Sequence, residues 1–294
     1  MNQMIYIAAD SRSGSTLLDL MLGNHDSMVS VGELRRLAEH YNGYLACTCG
    51  QSVNKCDFWR DVESRLNSRS LSLDSLKTLL PRSKSMLTDL AYFLPARMFR
   101  YIANRNASIA EAENIAENNL EILDAVCATA NTRIAVDSSK VPKLCRLYNL
   151  LRSGNIKTIF LVRDGRGTCN SRKQHGLPFP KAIPVWISSQ VKFFFLRLTI
   201  PRSSRITVRY EDMCREPTLV MEKICGFVGV PFQEECTKLV KTDKHNICGS
   251  PMRFDKGSTD IELDESWREK LSKKELRQFN YSGAGLINWI LGYR

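Results

Sequence analysis

The sequence predicts an α/β fold: a doubly wound, mainly parallel sheet of about five strands flanked by helices. Two patterns carry this prediction. Short β-branched runs bounded by polar or glycine residues recur at 5–9, 28–31, 133–136, 158–162 and 206–209. Segments with apolar residues at helical spacing lie between them, and strands that alternate with helices form parallel sheets. In such sheets ligands bind beyond the carboxyl ends of the strands. The chemically capable residues fall there: Arg12 after the first strand, Glu33 after the second, 137–140 after the third, 163–165 after the fourth and 210–212 after the fifth.

The bulk composition agrees with this class. The 294 residues are 43% apolar, enough for one large α/β domain with its own core. No run approaches the roughly 18 apolar residues that a membrane span needs. The chain enters its first strand almost at once, without the basic stretch, apolar run and cleavage site of a signal peptide. Ten scattered cysteines suit a reducing cytosol. Together these features give a cytoplasmic expectation. The net charge of +11 favours an anionic ligand. Zinc-finger spacing, a basic-zipper region and an aromatic RNA-binding signature are all missing, which argues against nucleic acid.

Taken in order, Met4–Ala9 is an apolar strand that leads into Asp10-Ser11-Arg12-Ser13-Gly14-Ser15-Thr16. Leu17–Leu22 then starts a helix. A small-residue turn before a helix aims backbone N–H groups and the positive helix end at one point, a seat for phosphate or sulfate. The arrangement is P-loop-like. An NTP-binding P-loop, however, uses two glycines four residues apart followed by Lys and Ser/Thr. This turn is shorter and lacks the lysine. A strand-ending acid for magnesium is not evident either, Asp137 being the one candidate.

After the second strand comes a helix over 34–41. Residues of about 57–130 read as a helical cap inserted between strands two and three, the whole chain (1–294) forming one domain. The clearest cap helix is 107–130, with apolar Ile109, Ala112, Ile115, Ala116, Leu120, Leu123 and Val126. Further helices are expected at 143–152, 166–174, 185–198, 219–228 and 234–240. The aromatic run Phe193-Phe194-Phe195, with Trp186, reads as a core helix rather than a membrane-binding one. His25 reads as a hydrogen-bonded residue at a helix end. His175 competes with Arg172 and Lys173 for a cation's place near the fourth strand end. Cys47-Thr48-Cys49-Gly50 and Cys56 suggest a zinc knuckle, but the first pair is separated by one residue and a fourth ligand is missing. The cysteines are therefore expected to be structural, with no metal.

Several of these stretches resemble sulfotransferases that use 3′-phosphoadenosine 5′-phosphosulfate. Ser11–Leu18 resembles their 5′-phosphosulfate loop. Leu161-Val162-Arg163-Asp164-Gly165-Arg166-Gly167-Thr168-Cys169-Asn170-Ser171 resembles their 3′-phosphate motif, with a serine eight residues after the arginine. Val31-Gly32-Glu33-Leu34-Arg35 resembles the Gly-Glu element of the tyrosylprotein-sulfotransferase type, its glutamate twenty-one residues after Arg12. The stretch 207–213 resembles the family's strand ending in Tyr-Glu-Asp, and 245–254 resembles a glycine-containing loop that closes over the cofactor in bacterial members. The spacing Cys-x-Cys-Gly…Cys-x-Phe-Trp is similar to one found there too.

The resemblance implies a catalytic set of Glu33 as base with Arg12 and Lys140. It implies a cofactor-binding set of Arg12, Ser13, Gly14, Ser15, Thr16, Arg163, Ser171, Tyr210, Ser250 and Arg253. The reaction implied is transfer of a sulfuryl group to a hydroxyl of a small metabolite, glycan, lipid or peptide. It leaves adenosine 3′,5′-bisphosphate and requires no metal, nucleic acid or stable membrane insertion. The residues agree with that chemistry: charge growing on a leaving phosphate calls for positioned cations and N–H donors, and a hydroxyl losing its proton calls for a carboxylate. Two readings stand beside it, an ATP-dependent small-molecule kinase and a non-catalytic protein that binds anions or nucleic acid.

Overall fold

The computed structural model describes residues 2–41, 46–81, 85–239, 244–254 and 260–293. Five strands form one parallel sheet: β1 (Gln3–Ala9), β2 (Met28–Ser30), β3 (Ile134–Asp137), β4 (Ile156–Val162) and β5 (Arg205–Arg209), in the order β2-β3-β1-β4-β5. All five expected strands are present, with ends shifted by at most two residues. β1 is central, pairing Ile5 with Val136 on one side and with Lys157 on the other.

The strands alternate between two cores, so both faces of the sheet are buried. Tyr6, Ala8, Ala135 and Phe160 face one cluster, and Ile5, Ile7, Ala9, Val136, Ile159 and Leu161 face the other. This is the outcome expected for parallel strands covered on both sides. On the second face lies α1 (Ser15–Leu22), which directly follows the turn after β1. The expected helix over 34–41 divides into a 3₁₀ turn, Leu34–Arg36, and a short α2 (Leu37–Tyr41).

Between β2 and β3 come α3 (Asp57–Asn67), α4 (Met86–Ala91), α5 (Ala96–Ala103) and α6 (Ala107–Thr129). They cover the first face. The predicted apolar stripe of α6 is buried throughout, from Ile109 to Val126. Asn106 caps that helix through its side chain, accepting from the N–H groups of Ser108 and Ile109.

Past β3 lie α7 (Pro142–Leu151), then α8 (Gly165–Gln174) and α9 (Phe179–Thr199) after β4. The last begins six residues before the expected 185. It runs through Pro184, whose missing N–H falls in the second turn, where only one helical bond is lost. Of the expected core aromatics on α9, Trp186 and Phe193 are buried, but Phe194 and Phe195 are exposed. Successive helical residues point about 100° apart, so a run of three cannot all face inward.

After β5 come α10 (Tyr210–Arg215) and α11 (Pro217–Val228). The segment expected to be helical over 234–240 is a 3₁₀ turn over Glu234–Thr237, and Val240 lies outside the described residues. The sequence reading missed α12 (Trp267–Lys270), α13 (Lys273–Asn280) and α14 (Gly283–Ile290). They build a third cluster against α8 and α9, centred on Trp186 and Phe279. Gly165 is required for that packing: a Cβ there would stand 2.6 Å from both aromatic rings. Asn288 of α14 completes the joint. Its Oδ1 accepts the Gly165 N–H at 2.8 Å and its Nδ2 donates to Asp164 at 3.2 Å.

One further backbone contact positions the site. The strap 244–254 crosses the carboxyl edge of the sheet and pairs with the end of β2. Ile247 donates to the Val31 carbonyl at 2.9 Å and accepts from the Glu33 N–H at 3.0 Å. Gly32 has φ +76°, and a Cβ on it would lie 2.2 Å from the Ile247 oxygen. Gly32→Ala should therefore cost at least the roughly 1–2 kcal/mol of a left-handed L-residue, plus the clash. A melting temperature about 3 °C or more below that of the parent is expected by calorimetry.

Candidate active site

Four strand ends turn sharply into loops that carry charge. The turn after β1 places Arg12 at φ +71° and Gly14 at φ +87°. Gly14 lies flat against the Tyr210 ring, where a Cβ would meet Cδ2 at 2.4 Å. The Ser13 hydroxyl closes the turn by donating to the Asp10 carbonyl at 2.6 Å. The first N–H groups of α1, from Ser15 on, have no acceptor within the helix and point out of this turn. Arg12 makes no ion pair among the described residues, so its guanidinium is available to an anion.

A buried ion pair anchors the turn from behind. Arg172 of α8 donates to the Asp10 carboxylate at 2.6 Å. Burial pushes the Asp10 carboxyl up, and Arg172 pulls it back. Arg172, one of the three candidates for a cation near the fourth strand end, is thus committed to the β1 loop. His175 ends α8, with its Nδ1 on the Ser171 carbonyl at 2.8 Å. His25 is also satisfied: Nδ1 accepts from the Ser27 N–H at 3.0 Å, leaving Nε2 to donate to the Pro231 carbonyl at 2.8 Å.

Glu33 follows Gly32 and is largely buried, at 7% exposure. Lys140 donates to its Oε1 at 2.6 Å, and Arg35 to its Oε2 at 3.0 Å. Burial pushes the Glu33 carboxyl up, but the two cations outweigh it and hold it below the usual carboxylate value. Lys140 reaches Glu33 from a left-handed backbone, φ +60°, at the end of β3.

Asp137 organises that bend. It is fully buried and accepts from both the N–H and the hydroxyl of Ser139, and the same hydroxyl accepts the Arg35 N–H at 3.0 Å. One carboxylate thereby fixes both residues that flank Glu33. Burial pushes Asp137 up to about 7, helped by nearby Asp19. A carboxyl so enclosed is a scaffold group, which removes the candidate magnesium ligand of the NTPase reading.

At the end of β4, Arg163 is buried and stacks on the Tyr210 ring at 4.3 Å. Its Nη1 donates to the Arg12 carbonyl at 3.1 Å, and its Nη2 to the Asp264 carbonyl and carboxylate at 2.8 and 2.9 Å. The two expected anion cradles are therefore in direct contact. Tyr210 joins them: it packs on Gly14, carries Arg163 on its face, and its hydroxyl accepts the Asp264 N–H at 3.1 Å. Ser171 sits on α8 near its C-terminal end, with no hydrogen bond joining its hydroxyl to Arg163 among the described residues.

The strap closes the third side. The Ser250 N–H donates to the Thr16 hydroxyl at 3.2 Å, and Gly249 passes so close that a Cβ would lie 3.3 Å from that oxygen. Arg253 is buried, stacks on Phe254 and donates to the Ala46 carbonyl at 3.4 Å. Its Nε and Nη1 find no partner among the described residues. Burial pulls its pKa down, against the pull of Cys248, Cys47 and Glu33.

Sequence reasoning missed Asp264, which occupies Arg163 from 101 residues away, and His40, buried with neither ring nitrogen partnered among the described residues. It also missed the residue that completes the cysteine group. His245, 189 residues after Cys56, supplies the fourth donor thought to be missing.

The lining is made of N–H groups, hydroxyls, guanidinium groups and one ammonium, with Glu33 as the carboxylate beside them. That donor set suits an anionic ligand. A model of the sulfotransferase family matches residues 5–234. Human carbohydrate sulfotransferase 1 is 24% identical over 203 residues, covering 60% of this chain and 48% of the relative, and the rat protein matches equally. The chain thus spans about half the length of the curated relatives it matches. The sulfotransferase domain of the Synechococcus PCC 7002 olefin synthase superposes with a TM-score of 0.61 at 21% identity, covering 100% of this chain and 95% of that one. The sulfotransferase domain of the curacin biosynthetic pathway gives 0.54 at 20%, covering 100% and 99%. These two share the fold. With the match of the family model to most of its length, the chain belongs to the sulfotransferase family.

Proposed function

We propose that this protein transfers a sulfuryl group from 3′-phosphoadenosine 5′-phosphosulfate to a hydroxyl of its acceptor. The observation that supports the reading is the contact of Arg163 with the Arg12 turn beside the Tyr210 ring, which brings the two candidate anion-binding loops together at one edge of the sheet. When bound, the donor supplies the activated sulfuryl group and a phosphate leaving group. The helix-start N–H groups, Arg12 and the Ser13–Thr16 turn would hold its 5′ end. Arg163 and Ser171 would take the 3′-phosphate, with Tyr210, Ser250 and Arg253 as further contacts to the nucleotide.

Glu33 accepts the acceptor's proton. Its lowered pKa keeps it ionised at neutral pH, and its two hydrogen bonds fix its direction. Lys140 would supply positive charge to the developing leaving group, and preorganised charge of that kind favours the transition state. The cap helices α3 to α6 form the acceptor side. A carbohydrate hydroxyl leads the acceptor panel, as the curated relatives' name suggests, ahead of metabolite, lipid and peptide hydroxyls. The scattered spacing of the ten cysteines suits a reducing, cytoplasmic setting. No helix among the described residues is long and apolar enough to cross a membrane.

Cofactor titration separates this reading from a kinase. Adenosine 3′,5′-bisphosphate should raise the melting temperature without added metal, and ATP with magnesium should not. Stabilisation by ATP–magnesium alone would sink the proposal. Glu33→Gln should keep nucleotide binding and lower turnover by about 10²–10⁴-fold, the range of a positioned base. Unchanged turnover in a labelled-sulfate assay removes Glu33 from the mechanism.

The Glu33 contacts also have a pH signature. A carboxylate whose folded pKa is depressed stabilises the fold above its unfolded pKa, and that contribution is lost as pH falls through the folded pKa. Lys140→Met removes one of the two depressing cations, so the Glu33 pKa must rise. Carboxyl carbon NMR titration should show the upward shift, and the acid limb of turnover should move to higher pH with it.

A further inference from the structure

We propose that Cys47, Cys49, Cys56 and His245 form a structural zinc site that ties the start of the cap to the strap over the active site. Their four ligand atoms all lie within 4.8 Å of one another. Zinc bound by three thiolates at about 2.3 Å and one imidazole at about 2.0–2.1 Å in a tetrahedron sets its S···S edges near 3.8 Å and its S···N edges near 3.5 Å. The Cys47–Cys56 sulfur separation is 3.8 Å, and His245 Nδ1 lies 3.7 Å from Cys47 Sγ and 3.2 Å from Cys56 Sγ. A disulfide would need about 2.05 Å. Three soft thiolates with one imidazole select zinc over magnesium or calcium.

The surrounding structure holds the donors in place. Cys47 and Cys49 sit on a tight turn, closed by the Cys47 N–H on the Gln51 carbonyl and the Gly50 N–H on the Cys47 carbonyl, both at 2.8 Å. Gly50 has φ +89°. Cys56 occupies the N-cap of α3, so its place is fixed by the start of that helix. His245 is oriented by the Phe58 ring, stacked at 4.7 Å with 3° between planes, and its carbonyl accepts the Trp59 indole N–H at 3.1 Å. Binding displaces the thiol protons to solvent, and zinc forms bonds to three sulfurs and Nδ1 without any change in oxidation state.

The site explains why the strap lies where it does. From His245 the chain continues to Asn246, whose side chain donates to Asp19 and Ser30 at 2.8 and 3.0 Å. It then reaches Ile247 on the Glu33 N–H and Ser250 on Thr16. A cross-link between Cys56 and His245 closes a loop of nearly two hundred residues, where metal closure gains most over the open chain. The zinc site stands independently of the transfer reaction.

Metal analysis of the purified full chain, expressed with zinc supplementation, should find one zinc per chain. Titration of the thiols with a mercurial reagent should release it, read with a colorimetric zinc indicator. Cys49→Ser removes the exposed ligand and should lower zinc below about one tenth per chain, while Cys225→Ala, a buried cysteine outside the cluster, should keep it. Chelation should lower the melting temperature of the parent, and zinc, but not magnesium, should restore it. If Cys49→Ser does not fold, the stoichiometry and mercurial release of the parent chain decide. Absence of zinc from the parent, iron or copper in its place, or a Cys47–Cys56 disulfide in the peptide map overturns the proposal.

Discussion

The carboxylate of Glu33, gripped on one oxygen by Lys140 and on the other by Arg35, is the contact on which the site is organised. A parallel sheet delivers all its carboxyl ends to one edge. In this chain that edge gathers Arg12, Arg35, Lys140, Arg163, Arg172 and Arg253. So many cations would repel one another unless each had a carboxylate, a carbonyl or an incoming anion. Glu33, Asp10 and Asp264 take four of them. What they leave uncompensated, chiefly at Arg12, is the attraction for a polyanionic ligand.

The framework that holds these pairs is polar and buried. Asp137 fixes Ser139 and through it the Arg35 backbone, while Asp19 collects Ser30 and Asn246. Burial raises Asp137 to about 7 and Asp19 to about 6. Both side chains are buried. Their work is to hold loop ends in left-handed turns, at Gly32 and Lys140, that the backbone would not keep unaided. Functional side chains are thus carried on loops, but the loops are tied to the sheet by hydrogen bonds deeper than the site itself.

How much of this was legible follows from how far each relation reaches along the chain. Strands and most helices are local, written in β-branched runs and three-to-four spacing. The strand-end residues Arg12, Glu33, Lys140 and Arg163 were legible because topology alone sends strand ends to one edge. Arg163 with Asp264 and Cys56 with His245 were not, since a contact between residues 101 or 189 positions apart leaves no spacing to read. The short α12 to α14 escaped because each has only one or two buried residues, too few to make a stripe. Phe194 and Phe195 misled because apolar character was counted without its direction around α9.

The extent of the active region differs from the extent of recognisable ancestry. The family match stops at residue 234, yet Ile247, Ser250, Asp264 and Asn288 each contact a strand-end residue or the loop beside it. A fragment trimmed to the matched segment would clip the first two residues of β1, keep the other four strands, and lose the contacts that the strap and the C-terminal helices make with the strand ends. Recombinant boundaries for this protein therefore have to be drawn from the contacts of the C-terminal helices, and tags belong where they do not press on the Tyr293–Glu211 hydrogen bond that pins the tail to α10.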